Sequence, residues 1–403
     1  MWCPLTQPGG PAVCRQWGRL VPARLVAVVL LMTAVAVLQL GAVLLMVDRR
    51  PSPSRPLAVR PPPVRRPAST AERRRRAAPL LHLHLAQVMR DLHGSTDMEL
   101  VRAGRLPRPA SCPERAVIPW AGGRAGNMLF EYLTAWAVAL RHDVPFLVPD
   151  VMIETFEGVF AGMTAQRGDL DLLLMDCAHL WHGRRNISVA TIQDVWEDLA
   201  PITGWLELVG FPTNMTRPIY RLWHAHEAQM RAELRFSAPI SSIVHEYLRR
   251  VRRALGPDDE PVTFIGVHVR RTDYYQATYN LDGVWMNMPG AAYFERAVRH
   301  YQRRYPNTVF VVVSDDMQWC REQLAALDAV ILFPGDAGNP PMLDLALLGH
   351  CNHTIITFGT FALSAAIMTG GDVVVPKDLG ITWNSYERQK DFWPAQWTEI
   401  SVL

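Results

Sequence analysis

From His268 to Tyr274 the chain reads His-Val-Arg-Arg-Thr-Asp-Tyr, which sets an imidazole, two guanidiniums and a carboxylate in one short segment. Adjacent arginines offer planar forks that match phosphate oxygens bidentately and stay charged at any relevant pH. A diphosphate is the anion such a pair suits. Three more polar clusters each follow an apolar run: Gly123-Arg124-Ala125-Gly126-Asn127, Ser314-Asp315-Asp316 and Thr357-Phe358-Gly359-Thr360. A glycine turn and a helix start present free backbone donors with a helix dipole behind them, again suited to an anion. Carboxylates at Asp315, Asp316 and Asp344 cannot hold phosphate, but they can accept hydrogen bonds from a ribose or from the donor edge of guanine. Each cluster also has a plain structural reading. Two arginines are commonly a surface ion pair, and a glycine-rich turn is commonly only a turn.

What makes the clusters one set is the pattern of elements around them. Apolar runs at 262–269, 308–313, 329–333, 353–357 and 372–375 alternate with helical stretches near 290–305, 316–327, 342–349 and 360–369. Short buried strands alternating with helices predict a parallel, Rossmann-like sheet covered on both faces. In such a sheet ligands bind beyond the carboxyl ends of the strands, which is where the clusters fall. Residues 116–260 open the same way, with a strand at 116–120, the glycine turn, a helix from about 127 to 141 and a strand at 146–148. The expected fold is α/β with two Rossmann-like lobes and a cleft between them, 116–260 forming the N-terminal lobe and 261–403 the C-terminal one.

Several chemistries are excluded by missing motifs. No G-x-x-x-x-G-K-S/T loop, no G-x-G-x-x-G after a strand and no G-x-S-x-G elbow occurs, which disfavours a nucleoside triphosphatase, a nicotinamide enzyme and a serine hydrolase of that type. No Cys/His spacing fits structural zinc. Asp169-Leu170-Asp171 is a D-x-D triplet of a kind that can hold manganese, but triplets of this type arise often by chance, so no metal is expected.

Across 403 residues, 49% of them hydrophobic, the formal charge of +3 conceals a division. Residues 1–47 hold three arginines and no acid, 48–115 hold 15 arginines against six acids, and 116–403 hold 23 bases against 32 acids. Between Arg24 and Asp48 lie 23 uncharged residues, 25–47, long enough to span a hydrocarbon core of about 30 Å and longer than a signal-peptide core. Both flanks are basic, so charge alone does not orient the segment. The sequons at Asn186, Asn214 and Asn352 favour a lumenal C-terminal domain, hence a type II membrane protein: tail 1–24, signal-anchor 25–47 and a disordered stem over 48–115. Seven prolines in 51–67 favour extended chain, and Arg73-Arg74-Arg75-Arg76 resembles a furin-like cleavage site, or is a solvated charge run. Such an arginine-rich stem makes no claim on nucleic acid. Leu81, Leu85, Val88, Met89 and Leu92 recur at helical spacing, which suits packing on the domain or self-association as a homodimer. If the domain is lumenal, Cys112, Cys177, Cys320 and Cys351 allow three disulfide pairings.

The residues also resemble a known family, the Golgi galactoside α-1,2-L-fucosyltransferases, over roughly 116–380. The matching blocks are H-V-R-R-T-D-Y at 268–274, G-R-A-G-N at 123–127 where the family usually reads G-R-F-G-N, F-V-V-V-S-D-D-M-Q-W-C at 310–320, D-L-A-L-L-G-H-C-N-H-T-I-I-T-F-G-T-F at 344–361 and T-G-G-D at 369–372. The resemblance implies a GT-B type fold, GDP-β-L-fucose as donor, no essential metal, and inversion to an α-linkage on O2 of a terminal β-galactose. By the same resemblance Arg270, with Arg271, neutralises the diphosphate and His268 lies against the nucleotide. Asp344 reads guanine, Ser314, Asp315 or Asp316 lines the nucleoside pocket, Thr360 reaches the phosphates, and Arg124 with Asn127 approaches phosphate and fucose. Asp273 is the candidate base, or it orients the arginines. The aromatic loop 274–289 has drifted from the family and is a place for an acceptor sugar to stack. An α-1,6 or protein-directed fucosyltransferase and a catalytically silent lumenal sugar-binding module are the alternative readings.

Overall fold

In a computed structural model the described residues are 69–168, 177–188, 201–209, 226–255, 261–273, 287–335, 339–379 and 397–403. The chain divides into compact units 1–60 and 61–403, and every described residue belongs to the second. The expected anchor, the D-x-D triplet at 169–171, Asn214 and most of the 274–289 loop lie outside the described residues. Among those described, no helix is long and apolar enough to cross a membrane.

Before the first strand come helices α1 (Thr70–Ala77) and α2 (Leu85–His93). Strands β1 (Ala116–Pro119), β2 (Leu147–Val148), β3 (Gln166–Arg167), β4 (Arg185–Ser188) and β5 (Trp205–Val209) follow, with helix α3 (Ala125–His142) after β1. They form a parallel sheet in the order β1-β5-β4 and a parallel pair β2-β3, and Val117 bridges in parallel to Phe146 beside β2. Next come α4 (Glu227–Glu233) and α5 (Ala238–Leu255).

The second sheet has strands β6 (Thr263–Val269), β7 (Thr308–Ser314), β8 (Val330–Leu332), β9 (His353–Ile355), β10 (Val373–Lys377) and β11 (Thr398–Ser401). Helices α6 (Ala291–Arg304), α7 (Met317–Leu324), α8 (Pro341–Gly349) and α9 (Thr360–Thr369) connect them. Every pairing is parallel and the order is β11-β10-β9-β6-β7-β8. Chain order therefore reverses between β6 and β9, which is the switch point where open α/β sheets bind ligands. Side chains alternate across the sheet as strand geometry demands. Phe264, Val309, Val311 and Val313 enter one core with α3, α5, α8 and α9, while Ile265, Val267, Phe310 and Val312 enter another with α6 and α7.

The stem differs from its sequence expectation. From residue 69 to the first strand it is not disordered but folded onto the domain. Leu85, Val88 and Met89 are fully buried, the Leu85 amide donates to Pro334 O at 2.9 Å, and Arg250 of α5 pairs with Asp91 at 2.7 Å. The helical stripe thus packs internally, leaving Leu81 and Leu92 exposed. The arginine run lies within α1, where Arg74 donates to Ala325 O at 2.9 Å and Arg76 to Leu255 O at 3.2 Å. A helix tied down in this way does not offer the extended chain that a protease needs, so this segment is a docked helix rather than an open cleavage site.

Cys112 and Cys177 form a disulfide, and Cys320 and Cys351 are buried free thiols. Asn186 is exposed on β4. Asn352 is also exposed, yet its Oδ1 accepts from the Phe264 amide at 2.8 Å.

Candidate active site

Two chain reversals meet where β1, β6 and β9 end. After β6, the Arg270 amide donates to Thr357 Oγ1 at 3.1 Å, which ties the arginine turn to the end of β9. Asp315, just past β7, holds the rest of that turn. Its Oδ1 accepts from the Arg271 amide at 2.9 Å, its Oδ2 accepts from the Thr272 amide at 3.2 Å and the Thr272 hydroxyl at 2.5 Å, and Arg270 Nη1 lies 3.1 Å from Oδ2. Asp316 accepts from the Trp319 amide at 3.1 Å as the N-cap of α7 and from Arg271 Nε at 3.3 Å. Ser314 Oγ accepts from the Asp316 amide at 2.9 Å. Asp315 and Asp316 thus brace the two arginines, and Ser314 holds the Asp316 amide. A carboxylate saturated by four donors on the arginine turn has little capacity left for a ribose.

The arginines diverge in use. Arg271 stacks its guanidinium 3.9 Å from the Trp319 ring centroid, a cation–π contact that directs it toward α7. Arg270 instead pairs within its own turn: its Nη2 donates to Asp273 Oδ2 at 2.6 Å, and Arg124 Nη1, from the other chain reversal, lies 3.5 Å from that same oxygen. Asp273 therefore bridges a guanidinium after β6 and one after β1, and its Oδ1 has no hydrogen-bond partner among the described residues.

Helices α3 and α9 begin side by side at this point. Thr360 Oγ1 donates to Asn127 Oδ1 at 2.6 Å. A Cβ on Gly126 would sit 2.5 Å from the Phe361 amide nitrogen, so only glycine lets the two helix starts approach. Gly359 caps α9 with φ of 95° and ψ of 157°, backbone that side-chain-bearing residues avoid. Thr360 and Asn127 are thus bound to each other, at the joint between the two helices.

His268 is buried against Phe361, the ring centroids 5.5 Å apart, and its Nδ1 has no partner among the described residues. Burial lowers its pKa to about 4, helped by Arg270 and opposed by Asp315, so the ring is neutral at physiological pH. Asp344 stands in the first turn of α8, beyond β8, and accepts from Asn339 Nδ2 at 2.9 Å. Desolvation raises its pKa to about 7 against that hydrogen bond. Arg124, Asn127, His268, Arg270, Asp273 and Thr360 are thus joined by contacts, while Asp344 stands apart on the β8 side.

Sequence reading misses Glu131 and Trp120. Glu131 is 3% exposed, its Oε2 accepts from the Gly122 amide at 3.0 Å, its Oε1 has no partner among the described residues, and burial raises its pKa to about 8. A signal for it exists: it is the lone acid in an apolar helical run, four residues after Asn127. Trp120 follows β1 and folds over Gly122. No three His, Cys, Asp or Glu side chains converge as a metal site among the described residues.

Against known proteins, the family model Glycosyl transferase family 11 matches residues 201–401. A galactoside 2-alpha-L-fucosyltransferase of Mus musculus is 32% identical over 68% of this chain and 73% of its own. A galactoside alpha-(1,2)-fucosyltransferase 2 of Hylobates lar is 33% identical over 62% of this chain and 68% of its own. The solved structure of fucosyltransferase NodZ from Bradyrhizobium aligns at TM-score 0.40 and 13% identity over 62% of this chain and 92% of that one. Two relatives above 30% identity, each matched over more than two thirds of its length, place this chain in the galactoside α-1,2-fucosyltransferase family.

Proposed function

We propose that this chain is an inverting glycosyltransferase that moves L-fucose from GDP-β-L-fucose to O2 of a terminal β-galactose on a glycoprotein or glycolipid, forming an α-1,2 linkage. The observation that carries the reading is that Arg270 and Arg124, from two different chain reversals, converge on one carboxylate at the switch point. Two guanidiniums facing a single anion, with two helix starts beside them, suit a diphosphate. In this reading phosphate oxygens replace Asp273 between the arginines, and the displaced carboxylate turns to the acceptor. The O2 hydroxyl attacks the anomeric carbon opposite the leaving GDP. The bond from C1 to the β-phosphate oxygen breaks, Arg270 stabilises the charge that grows on the diphosphate, and Asp273 takes the hydroxyl proton. A dissociative path, with the proton lost late, uses the same groups. These guanidiniums supply the countercharge that a metal provides elsewhere, so transfer without a metal belongs to the proposal.

The wider arrangement follows from the same reading. The sheets containing β1 and β6 are the two lobes of a GT-B fold, joined at the Asn127–Thr360 and Arg124–Asp273 contacts. Residues 25–47 anchor the chain in the Golgi membrane with the catalytic domain lumenal, a placement supported by the uncharged run and the sequons.

One assay tests this. Labelled GDP-fucose is supplied with β-galactosides and glycopeptides, with and without EDTA, and the product linkage is determined. The expected product is α-1,2 on galactose, unaffected by EDTA, and Arg270→Ala lowers transfer by on the order of a hundredfold or more with the circular dichroism unchanged. An α-1,6 or peptide-linked product, nucleotide binding without transfer, or full turnover in Arg270→Ala would refute it.

A further inference from the structure

The β1 end carries an aromatic ring that the reaction as derived does not use. Trp120 is a large side chain left 39% exposed directly after the fully buried strand β1. Its six-membered ring lies over Gly122 so closely that a Cβ there would meet Trp120 Cζ3 at 2.4 Å and Cη2 at 2.6 Å. Only a glycine lets the indole lie down on the backbone. Gly122 is itself held from below, because its amide donates at 3.0 Å to Glu131, a carboxyl buried in α3. The Trp120 amide donates to Leu208 O at 2.9 Å, which fixes the base of the side chain to β5. The ring is therefore held at Gly122 while part of the side chain stays exposed. Four residues along the same turn, Arg124 pairs with Asp273, the group placed to take the acceptor proton.

We propose that Trp120 is the platform on which the terminal galactose of the acceptor stacks, kept in place by Gly122, whose amide the Glu131 carboxyl holds. The inference rests on the α-1,2 transfer reading and adds where the acceptor lies. Galactopyranose carries the C–H bonds of C3, C4 and C5 on one face, because its O4 is axial, and that apolar, weakly positive face matches the electron-rich face of an indole. Stacked in this way the sugar leaves O2 at its edge, free to meet the anomeric carbon of the donor. An indole is amphipathic and rigid, so exposing it in the empty site costs little and ordering it on binding costs less than ordering a long aliphatic chain.

Steady-state kinetics on the full chain with a β-galactoside and GDP-fucose decide the matter. Trp120→Ala raises the acceptor KM about tenfold or more, the loss expected for one stacked ring, and leaves the GDP-fucose KM within about twofold. Trp120→Phe, which keeps an aromatic face, recovers most of that loss. Gly122→Ala, which touches neither substrate, tilts the indole off its seat and raises the acceptor KM in the same direction. Melting temperatures are measured beside each variant, and the partial exposure of Trp120 makes a folded Ala variant the expected outcome. An unchanged acceptor KM in Trp120→Ala, or an equal rise in both KM values, overturns the platform while transfer by the wild-type chain leaves the reaction assignment standing. A wild-type chain that moves no fucose to galactose overturns both.

Discussion

Asp344 shows how much of a site residue can be read from its type and how much depends on its surroundings. Its carboxyl keeps a proton up to about 7 because burial penalises the charge, the ordinary value being 3.8. Between those values the folded state binds a proton that the unfolded chain releases, so the stability contributed by this group falls as pH rises through the window and levels off above it. Asp344→Asn removes that loss. Its melting temperature relative to wild type is expected to climb from about pH 4 to about pH 7 and then hold steady. If the carboxylate reads the donor edge of guanine, the same variant weakens GDP binding by about 1.5–3 kcal/mol, the range for a hydrogen bond to a charged group. Wild-type affinity then falls below about pH 7, because the proton must leave before guanine binds, and the variant loses that dependence. Thermal melts and GDP titration across pH check both limbs, and a variant with unaltered GDP affinity removes Asp344 from the site. Asp315 is the opposite case. An acid after a strand looks like a ligand group in the sequence, and only the neighbouring amides of Arg271 and Thr272 reveal it as a brace.

The joint between α3 and α9 is the feature at the scale of elements on which the proposed phosphate site depends. Gly126 has no room for a Cβ against the backbone of Phe361, and backbone cannot swing aside as a side-chain tip can. Gly126→Ala therefore forces the helix starts apart and stretches the 2.6 Å bond between Thr360 and Asn127. The expected cost is about 1–3 kcal/mol of stability from overpacking, with a loss of donor affinity larger than the loss of acceptor affinity. Urea midpoints and the two KM values test this, and a variant with an unchanged midpoint shows that the joint accommodates a Cβ. The second sheet was legible because a parallel strand buried on both faces must be largely apolar, as β7 is from Val309 to Val313, and the helices between such strands keep their own period. In the first half β1 and β2 were legible at 116–120 and 146–148, whereas a strand as short as β3, two residues, leaves almost no periodic signal. The pairing of Cys112 with Cys177, 65 residues apart, was equally hidden, since it depends on the tertiary arrangement of segments far apart in the chain.

For the whole molecule, the question is where the folded domain begins. Charge and proline content extend the stem to residue 115, yet α1 and α2 sit on the domain: Leu85, Val88 and Met89 share a core with Val244 and Leu248 of α5 and with Val330 of β8. Arginine-rich composition marks α1 as charged and says nothing of its docking, in which Ala77 is buried and Arg74 and Arg76 bond to the domain. Fully burying a side chain of this size stabilises by about 1.5–3 kcal/mol, so losing three of them exceeds the margin of many domains. A chain beginning at residue 69 is expected to melt cooperatively and to transfer fucose, whereas one beginning at 116 aggregates or melts many degrees lower with little activity. A furin-type protease should leave the first chain intact at Arg73 to Arg76 under native conditions and cut it once α1 is unfolded by mild denaturant. Equal melting temperatures for the two chains, or rapid native cleavage within the arginine run, would return these helices to the stem. The expected result instead makes α1 and α2 a strap across α5 and β8, so that the folded domain includes residues from 69 onward rather than from 116.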